Sequence, residues 1–166
     1  MGSEEVVRGI ERPMSPSRRF GQSFHKWLPS ELRSSSIGEL DSAKKPVSLY
    51  ASDSALAKYA AKNLGYRRRK GLDLIILGKS RAVFGEAKFI STSGGTQDKS
   101  FREATEFVRK YSSSRARAIA VIDGVVWAPS IIERKNSLYA REIAGLKNDH
   151  VVLSSLLLRE FVKREL

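Results

Sequence analysis

Two apolar runs in the middle of the chain carry charges that strand formers do not ordinarily carry. Gly71-Leu72-Asp73-Leu74-Ile75-Ile76 is followed by Val83-Phe84-Gly85-Glu86-Ala87-Lys88-Phe89. A turn centred on Lys79-Ser80 pairs them as a hairpin in which residue numbers across the ladder sum to 159, setting Asp73 against Glu86. Side chains alternate along a strand. Asp73, Ile75 and Leu77 therefore share a face with Ala82, Phe84, Glu86 and Lys88, and Leu72, Leu74, Ile76, Val83, Ala87 and Phe89 take the other. Both faces are largely apolar, which predicts a pair buried on both sides. A turn on Gly78-Lys79 would shift the sum to 157 and leave the two acids diagonal but on one face. An odd-length loop would separate them unless a bulge intervened.

Directly opposed residues set their Cβ atoms roughly 4.5–5.5 Å apart, and two carboxylates so placed repel, more strongly in a low-dielectric interior. Something positive is expected between them. Hard oxygen ligands suit Mg²⁺, which keeps several waters and takes one or two carboxylates together with a substrate phosphate. Lys88, two residues beyond Glu86, emerges on the same face, where it can orient a water or neutralise charge on the phosphate.

Asp73 on one strand and the acid-x-Lys triplet Glu86-Ala87-Lys88 on the next resemble the PD-(D/E)xK nuclease superfamily. The continuation from Phe89 to Phe101, with Gly94-Gly95-Thr96-Gln97, looks like the Gly-Gly-x-Gln segment that follows the catalytic strand in several type II restriction endonucleases. Gly71-Leu72 stands where the motif's Pro would often precede the Asp, a departure that removes no atom the chemistry uses. The resemblance spans about Tyr50 to Leu166. It implies an α/β fold of restriction-endonuclease type, a mixed central β-sheet flanked by helices. It also implies Mg²⁺-dependent hydrolysis of phosphodiester bonds in double-stranded DNA at a specific sequence. Asp73, Glu86 and the Ala87 carbonyl would hold the metal, Lys88 would position the attacking water or offset transition-state charge, and Gln97 would complete the catalytic set. A homodimer, a cognate DNA methyltransferase acting on the same site and a prokaryotic cytoplasmic setting belong to the same implication.

Composition agrees with one α/β domain. The 166 residues are 41% hydrophobic, enough for a single sizeable core. No apolar run reaches the roughly 18 residues needed to span a bilayer, and the polar N-terminus lacks the apolar core of a secretory signal, so export is not expected. With no Cys there is no disulfide, thiolate nucleophile or Cys-ligated zinc, and two His make a His-based zinc site improbable. Metal binding must use oxygen. The 30 Lys plus Arg against 18 Asp plus Glu give a net charge of +12, which points to a polyanionic partner. No basic amphipathic helix is joined to a large apolar face, so nucleic acid is expected rather than a membrane.

Residues 1–46, rich in Ser, Arg, Pro and Gly, read as a basic, partly irregular N-terminal arm, with Met14-Ser15-Pro16-Ser17-Arg18-Arg19 not expected to form regular structure unaided; the nuclease domain is 47–166. Within the arm, Phe20, Phe24, Trp27 and Leu28 are spaced for a short amphipathic helix ended by Pro29, packing on the domain or a second subunit in preference to intercalating in DNA. A helix is predicted over Ser52 to Leu64, capped by Ser52 or Asp53, with Leu56, Tyr59, Ala60 and Leu64 as its apolar stripe and Gly65 as its stop. The basic run Arg67-Arg68-Arg69-Lys70 then leads into Asp73, either as a solvated turn or as a phosphate contact. After Lys88, a Ser/Thr/Gly loop precedes a helix capped by Ser93 or Thr96 and reaching Tyr111. Its N-terminus, with Ser91, Thr92 and the Gln97 amide, can hold a DNA phosphate or the attacking water, and Lys99 lies beside it as a DNA contact.

Ser114 to Ile122 reads as a buried strand, with Asp123-Gly124 as a turn before Val125-Val126-Trp127; Asp123 is assigned to that turn and left outside the metal site. Residues 130–144 are helical or irregular, with Arg134, Lys135 and Arg141 as further DNA contacts. A short strand at His150 to Leu153 and a last helix capped by Ser154 close the chain. Two rivals stand beside the restriction-enzyme reading. One is a repair or recombination nuclease that reads DNA structure. The other is a non-catalytic nucleic-acid-binding protein in which Asp73 and Glu86 merely satisfy Arg or Lys partners.

Overall fold

A computed structural model describes residues 16–68, 70–111, 116–134 and 136–166. Met14, Ser15, Arg69, Ser114 and Lys135, singled out above, lie outside the described residues.

The predicted hairpin is the centre of the structure. Its strands are β3 (Leu74–Leu77) and β4 (Ala82–Ile90), and their antiparallel register pairs Leu74 with Gly85, Ile75 with Phe84, Ile76 with Val83 and Leu77 with Ala82. Every pair sums to 159, as the turn on Lys79-Ser80 requires, and the Gly78 N–H donates to the Arg81 carbonyl at 2.8 Å to close that turn. Around the hairpin, β1 (Ser34–Ser35), β2 (Val47–Leu49), β5 (Ala116–Gly124) and β6 (Val151–Leu153) complete one six-stranded sheet whose spatial order is the chain order. β2 is antiparallel to β3, whereas β1 runs parallel to β2 and β4, β5 and β6 run parallel to one another. The expected mixed central sheet flanked by helices is the observed one. β4 has neighbours on both edges and helices on both faces, which is why it reads as an almost unbroken apolar run.

Two cores sandwich the sheet. Ile75, Leu77 and Phe84 face α2 (Asp53–Asn63), α3 (Gly95–Lys110) and α5, which spans Leu138–Ala144 after the single turn of α4 (Pro129–Ile132). Leu74, Ile76, Val83 and Ala87 face α1 (Pro16–Glu31) and α6 (Ser155–Glu165). This is the alternation expected, with one exception: Leu72 belongs with Ile75. β3 begins only at Leu74, and ahead of it the Leu72 N–H turns to the Asp53 carbonyl at 3.2 Å, so strand periodicity does not reach Leu72.

Within the span expected as an arm, 16–46, the chain forms α1, β1 and a 3-10 turn at Ile37–Ser42. Two expectations are corrected. The helix opens at Pro16, inside the stretch not expected to be regular, because proline is well tolerated in a first helical turn. It also runs past Pro29 to Glu31, because its apolar stripe continues beyond that residue and lies on the sheet. Phe24 and Leu28 are buried, Phe20, Trp27 and Leu32 pack beside them, and the Phe20 ring stacks on Phe89 of β4 with centroids 5.6 Å apart.

Other ends are corrected too. α2 is capped by the Ser52 hydroxyl and stops at Gly65, whose φ of 75° few other residues adopt. The cap of α3 is Gly94, neither Ser93 nor Thr96; the Asp98 carboxylate reaches back to accept the Gly94 N–H at 2.8 Å. Asp123 does not make a turn. Pairing of Ile90 with Gly124 carries β5 through it, Val125–Trp127 is a 3-10 turn, and the Asp123 carboxylate accepts from the Ser154 hydroxyl and the Ser155 N–H, fastening the start of α6. Among the described residues no helix is long and apolar enough to cross a membrane.

Since α1 is held by core contacts, Phe24→Ala is expected to cost about 3–5 kcal/mol, the range for deleting a buried ring. Urea denaturation checks this; a loss below about 0.5 kcal/mol would mean that α1 is not held by the sheet.

Candidate active site

The β3–β4 ladder stops at Leu74 and Gly85, and the two acids stand just beyond it. The Asp73 N–H donates to the Gly85 carbonyl at 2.9 Å, and its carboxylate Oδ2 accepts the Ala87 N–H at 2.7 Å. Burial lifts the Asp73 carboxyl above its usual range; the Ala87 hydrogen bond and the Lys88 charge pull it partly back, and Asp53 pushes it up further.

Glu86 is the most deeply buried charge in the described structure, with no exposed surface. It does not wait for a partner. Its Oε2 lies 2.9 Å from the Lys70 Nζ and 3.5 Å from the Lys88 Nζ, and its Oε1 lies 3.5 Å from the Arg68 Nη1. The positive charge expected at the acids is thus supplied by three side chains, two of them from the basic run. Oε1 is nevertheless buried and accepts no hydrogen bond. The loop that delivers Lys70 is tied down by Tyr66, a buried residue whose hydroxyl donates to the Lys70 carbonyl at 2.8 Å. Burial first, then the Glu86 charge, push that hydroxyl up to about 12, so it stays a protonated donor across the neutral range.

Two further residues stand at the acids, neither of them among the site candidates expected from the sequence. The His25 Nε2 of α1 lies 3.0 Å from the Asp53 Oδ1 and 3.9 Å from the Asp73 Oδ1, and the three groups are close enough together to share a cation. Asp53 reaches this position because the α2 start packs against Gly71. A Cβ on Gly71 would meet the Asp53 Cβ at 2.7 Å, so glycine just upstream of Asp73 has a steric reason. His25 had one legible cue, its place beside Phe24 on the α1 stripe, but nothing in a sequence connects it to a strand so far along the chain.

Asp73, Glu86, Ala87 and Lys88 are therefore brought together with Arg68 and Lys70. Arg67 is exposed. Among the described residues, no hydrogen bond or ion pair joins Ser91, Thr92, Gln97 or Lys99 to the acids. They lie past the β4 end and on the first turn of α3, where the Gln97 Oε1 is buried and accepts no hydrogen bond. This loop is fixed by Asp98, which takes the Tyr139 hydroxyl at 2.7 Å as well as the Gly94 N–H.

A family model described as Tsp45I type II restriction enzyme matches residues 1–164. The chain belongs to the Tsp45I type II restriction enzyme family. No curated protein and no solved structure matches it. Membership in the Tsp45I family makes the chain a DNA nuclease, a hydrolase, and makes its sheet-and-helix sandwich a restriction-endonuclease-like fold. The Tsp45I match also begins well before Tyr50, so it takes in α1 and His25.

The Asp73 shift has a consequence for stability. A carboxyl whose folded pKa lies above its unfolded value favours folding fully below the unfolded value, and loses that contribution as pH rises through the folded one. Ionised Asp73 therefore opposes folding near neutral pH. Asp73→Asn keeps an oxygen for the Ala87 N–H and is expected to raise stability at neutral pH by about 0.5–2 kcal/mol. The gain should fade as pH drops toward ~4, where aspartate protonates anyway. Urea midpoints across that range check it, and a variant less stable than the parent at neutral pH would contradict it.

Proposed function

We propose that this protein is a Mg²⁺-dependent type II restriction endonuclease that cuts double-stranded DNA at a specific sequence through a PD-(D/E)xK site. The observation that carries the reading is the pair of carboxylates at the end of the β3–β4 ladder, each with an oxygen that accepts no hydrogen bond among the described residues. Asp73 commits Oδ2 to the Ala87 N–H and keeps Oδ1; Glu86 keeps Oε1, buried. Two such oxygens suit a hard divalent cation, which Asp73, Glu86 and the Ala87 carbonyl would hold. When bound, the cation polarises the scissile phosphate and makes water a stronger nucleophile at neutral pH.

The remaining work falls to the chain. Lys88 stands 3.5 Å from Glu86 and counters the raised Asp73, so it serves both to orient the attacking water and to offset charge that builds on phosphorus. Gln97, Ser91, Thr92 and the start of α3 face the same task for the flanking phosphate. Arg67, Arg69 and Lys99 contribute backbone contacts, with Arg68 and Lys70 available once released from Glu86. Two copies working as a homodimer would cut two strands and read a twofold target, and a methyltransferase for the same site would protect the host's own DNA.

Cations around Glu86 are also what the non-catalytic rival calls for. Membership in a restriction-enzyme family supports the catalytic reading over it. Incubation with long unmodified duplex DNA, in Mg²⁺ and in EDTA, tests the proposal beside Glu86→Gln. Discrete Mg²⁺-dependent fragments are expected, slowed at least about a hundredfold in the variant, the scale on which loss of one transition-state contact is felt. A smear lost in the variant would favour a structure-reading nuclease. Undiminished cutting by Glu86→Gln would refute the site.

A further inference from the structure

We infer that Lys70 and Arg68 are placeholders for the metal: they neutralise Glu86 in the DNA-free protein and leave it for the DNA backbone, so that phosphate must arrive before a divalent cation binds tightly. The inference rests on the reading of Glu86 as a metal ligand.

Three observations support it. The cations on Glu86 differ in how they are mounted. Lys88 rises from β4 itself, whereas Lys70 and Arg68 come from the segment between α2 and β3, and their side chains are 39% and 35% exposed against 22% for Lys88. They have open solvent to move into. The segment is pinned through its backbone, by Tyr66 on the Lys70 carbonyl, so the two side chains can change partner without the loop moving.

The second observation is the charge balance. Three acids, Asp53, Asp73 and Glu86, stand beside three basic side chains, Arg68, Lys70 and Lys88, with His25 against Asp53. The acids are thus matched in number by Lys and Arg side chains of the chain itself. A divalent cation added to this cluster alone leaves a surplus of positive charge around the buried Glu86, which is unfavourable where the local dielectric is low. Two DNA phosphates remove that surplus and offer oxyanions to the displaced Lys70 and Arg68. By linkage, each ligand then tightens the other.

The third is the state of Glu86 itself. Arg68 stands at 3.5 Å from Oε1 without hydrogen-bonding it, and Oε1 accepts nothing else. The guanidinium supplies charge there without occupying the oxygen, as a partner kept for neutralisation would.

Mn²⁺ binding to the full chain without DNA, followed by electron paramagnetic resonance of the free ion, tests this. Lys70→Met is expected to bind Mn²⁺ about tenfold more tightly than the parent, Arg68→Met should move the same way, and adding Glu86→Gln should cancel the gain. A short mixed-sequence duplex, corrected for the Mn²⁺ it binds alone, should tighten binding in the parent and do so less in Lys70→Met. Unchanged or weaker Mn²⁺ binding in a folded Lys70→Met would overturn the inference and leave the nuclease reading standing. If that variant does not fold, the parent decides: Mn²⁺ affinity indifferent to duplex overturns the inference. Absence of Mn²⁺ binding in every protein, with and without duplex, would overturn both.

Discussion

The structure around the acids depends on one demand, that a carboxylate with no exposed surface be given countercharge. Glu86 sits on a strand with neighbours on both edges and helices on both faces, so water does not solvate it. Leaving a buried ionised group unpaired costs about 3–5 kcal/mol. The countercharge comes from three cations, and its geometry explains several features that look unrelated in the sequence. The basic run stands ahead of β3 because Lys70 and Arg68 must reach back to Glu86 on β4. Tyr66 is buried beside it because the loop that delivers Lys70 needs an anchor. Gly71 follows because the chain must pass hard against Asp53 on its way from that loop to Asp73.

Burial on both faces also accounts for where the acids stand. A charge in the middle of the ladder would meet apolar side chains from two cores. Asp73 and Glu86 lie past its last pair, where the backbone N–H of Ala87 is free to donate and where α1 and α2 can bring polar groups alongside. α1 covers the second face through Phe24 and Leu28 and, one residue from Phe24, sets His25 against Asp53 and Asp73. Packing and chemistry are thus carried by consecutive residues of one helix.

How much of this could be read in advance follows from how local each determinant is. The β3–β4 register was legible because alternation along two strands and a two-residue turn fix it within one stretch of chain, and the side chains of Asp73, Glu86 and Lys88 came with it. The stripe of α2, its Gly65 stop and the α6 cap were legible for the same reason. Leu72 packs with Ile75 against the alternation because β3 begins only at Leu74, and strand periodicity does not extend back to it. Asp123 was read as a turn residue because its true partners, Ser154 and Ser155, lie on an element that only the parallel sheet brings near. His25 and Asp53 were missed on the same grounds. The basic run and the acid are each legible in the sequence, yet their contact depends on the path of the loop between them, which no periodicity encodes.

The basic run also shows why net charge is a poor measure of nucleic-acid contact. A basic run in a sequence has two obvious fates, a solvated turn or a phosphate site, and here Lys70 and Arg68 instead pair with Glu86. Both alternatives assumed that the partner of a surface cation lies outside the protein. An internal carboxylate and an external phosphate are both oxyanions, and a lysine or arginine at the edge of a buried acid can serve either. Which it serves is decided by the total charge of the site, since a neutral cluster holds its cations and one carrying an added dication repels them. A chain with an excess of positive charge can therefore keep part of that excess engaged inside the fold.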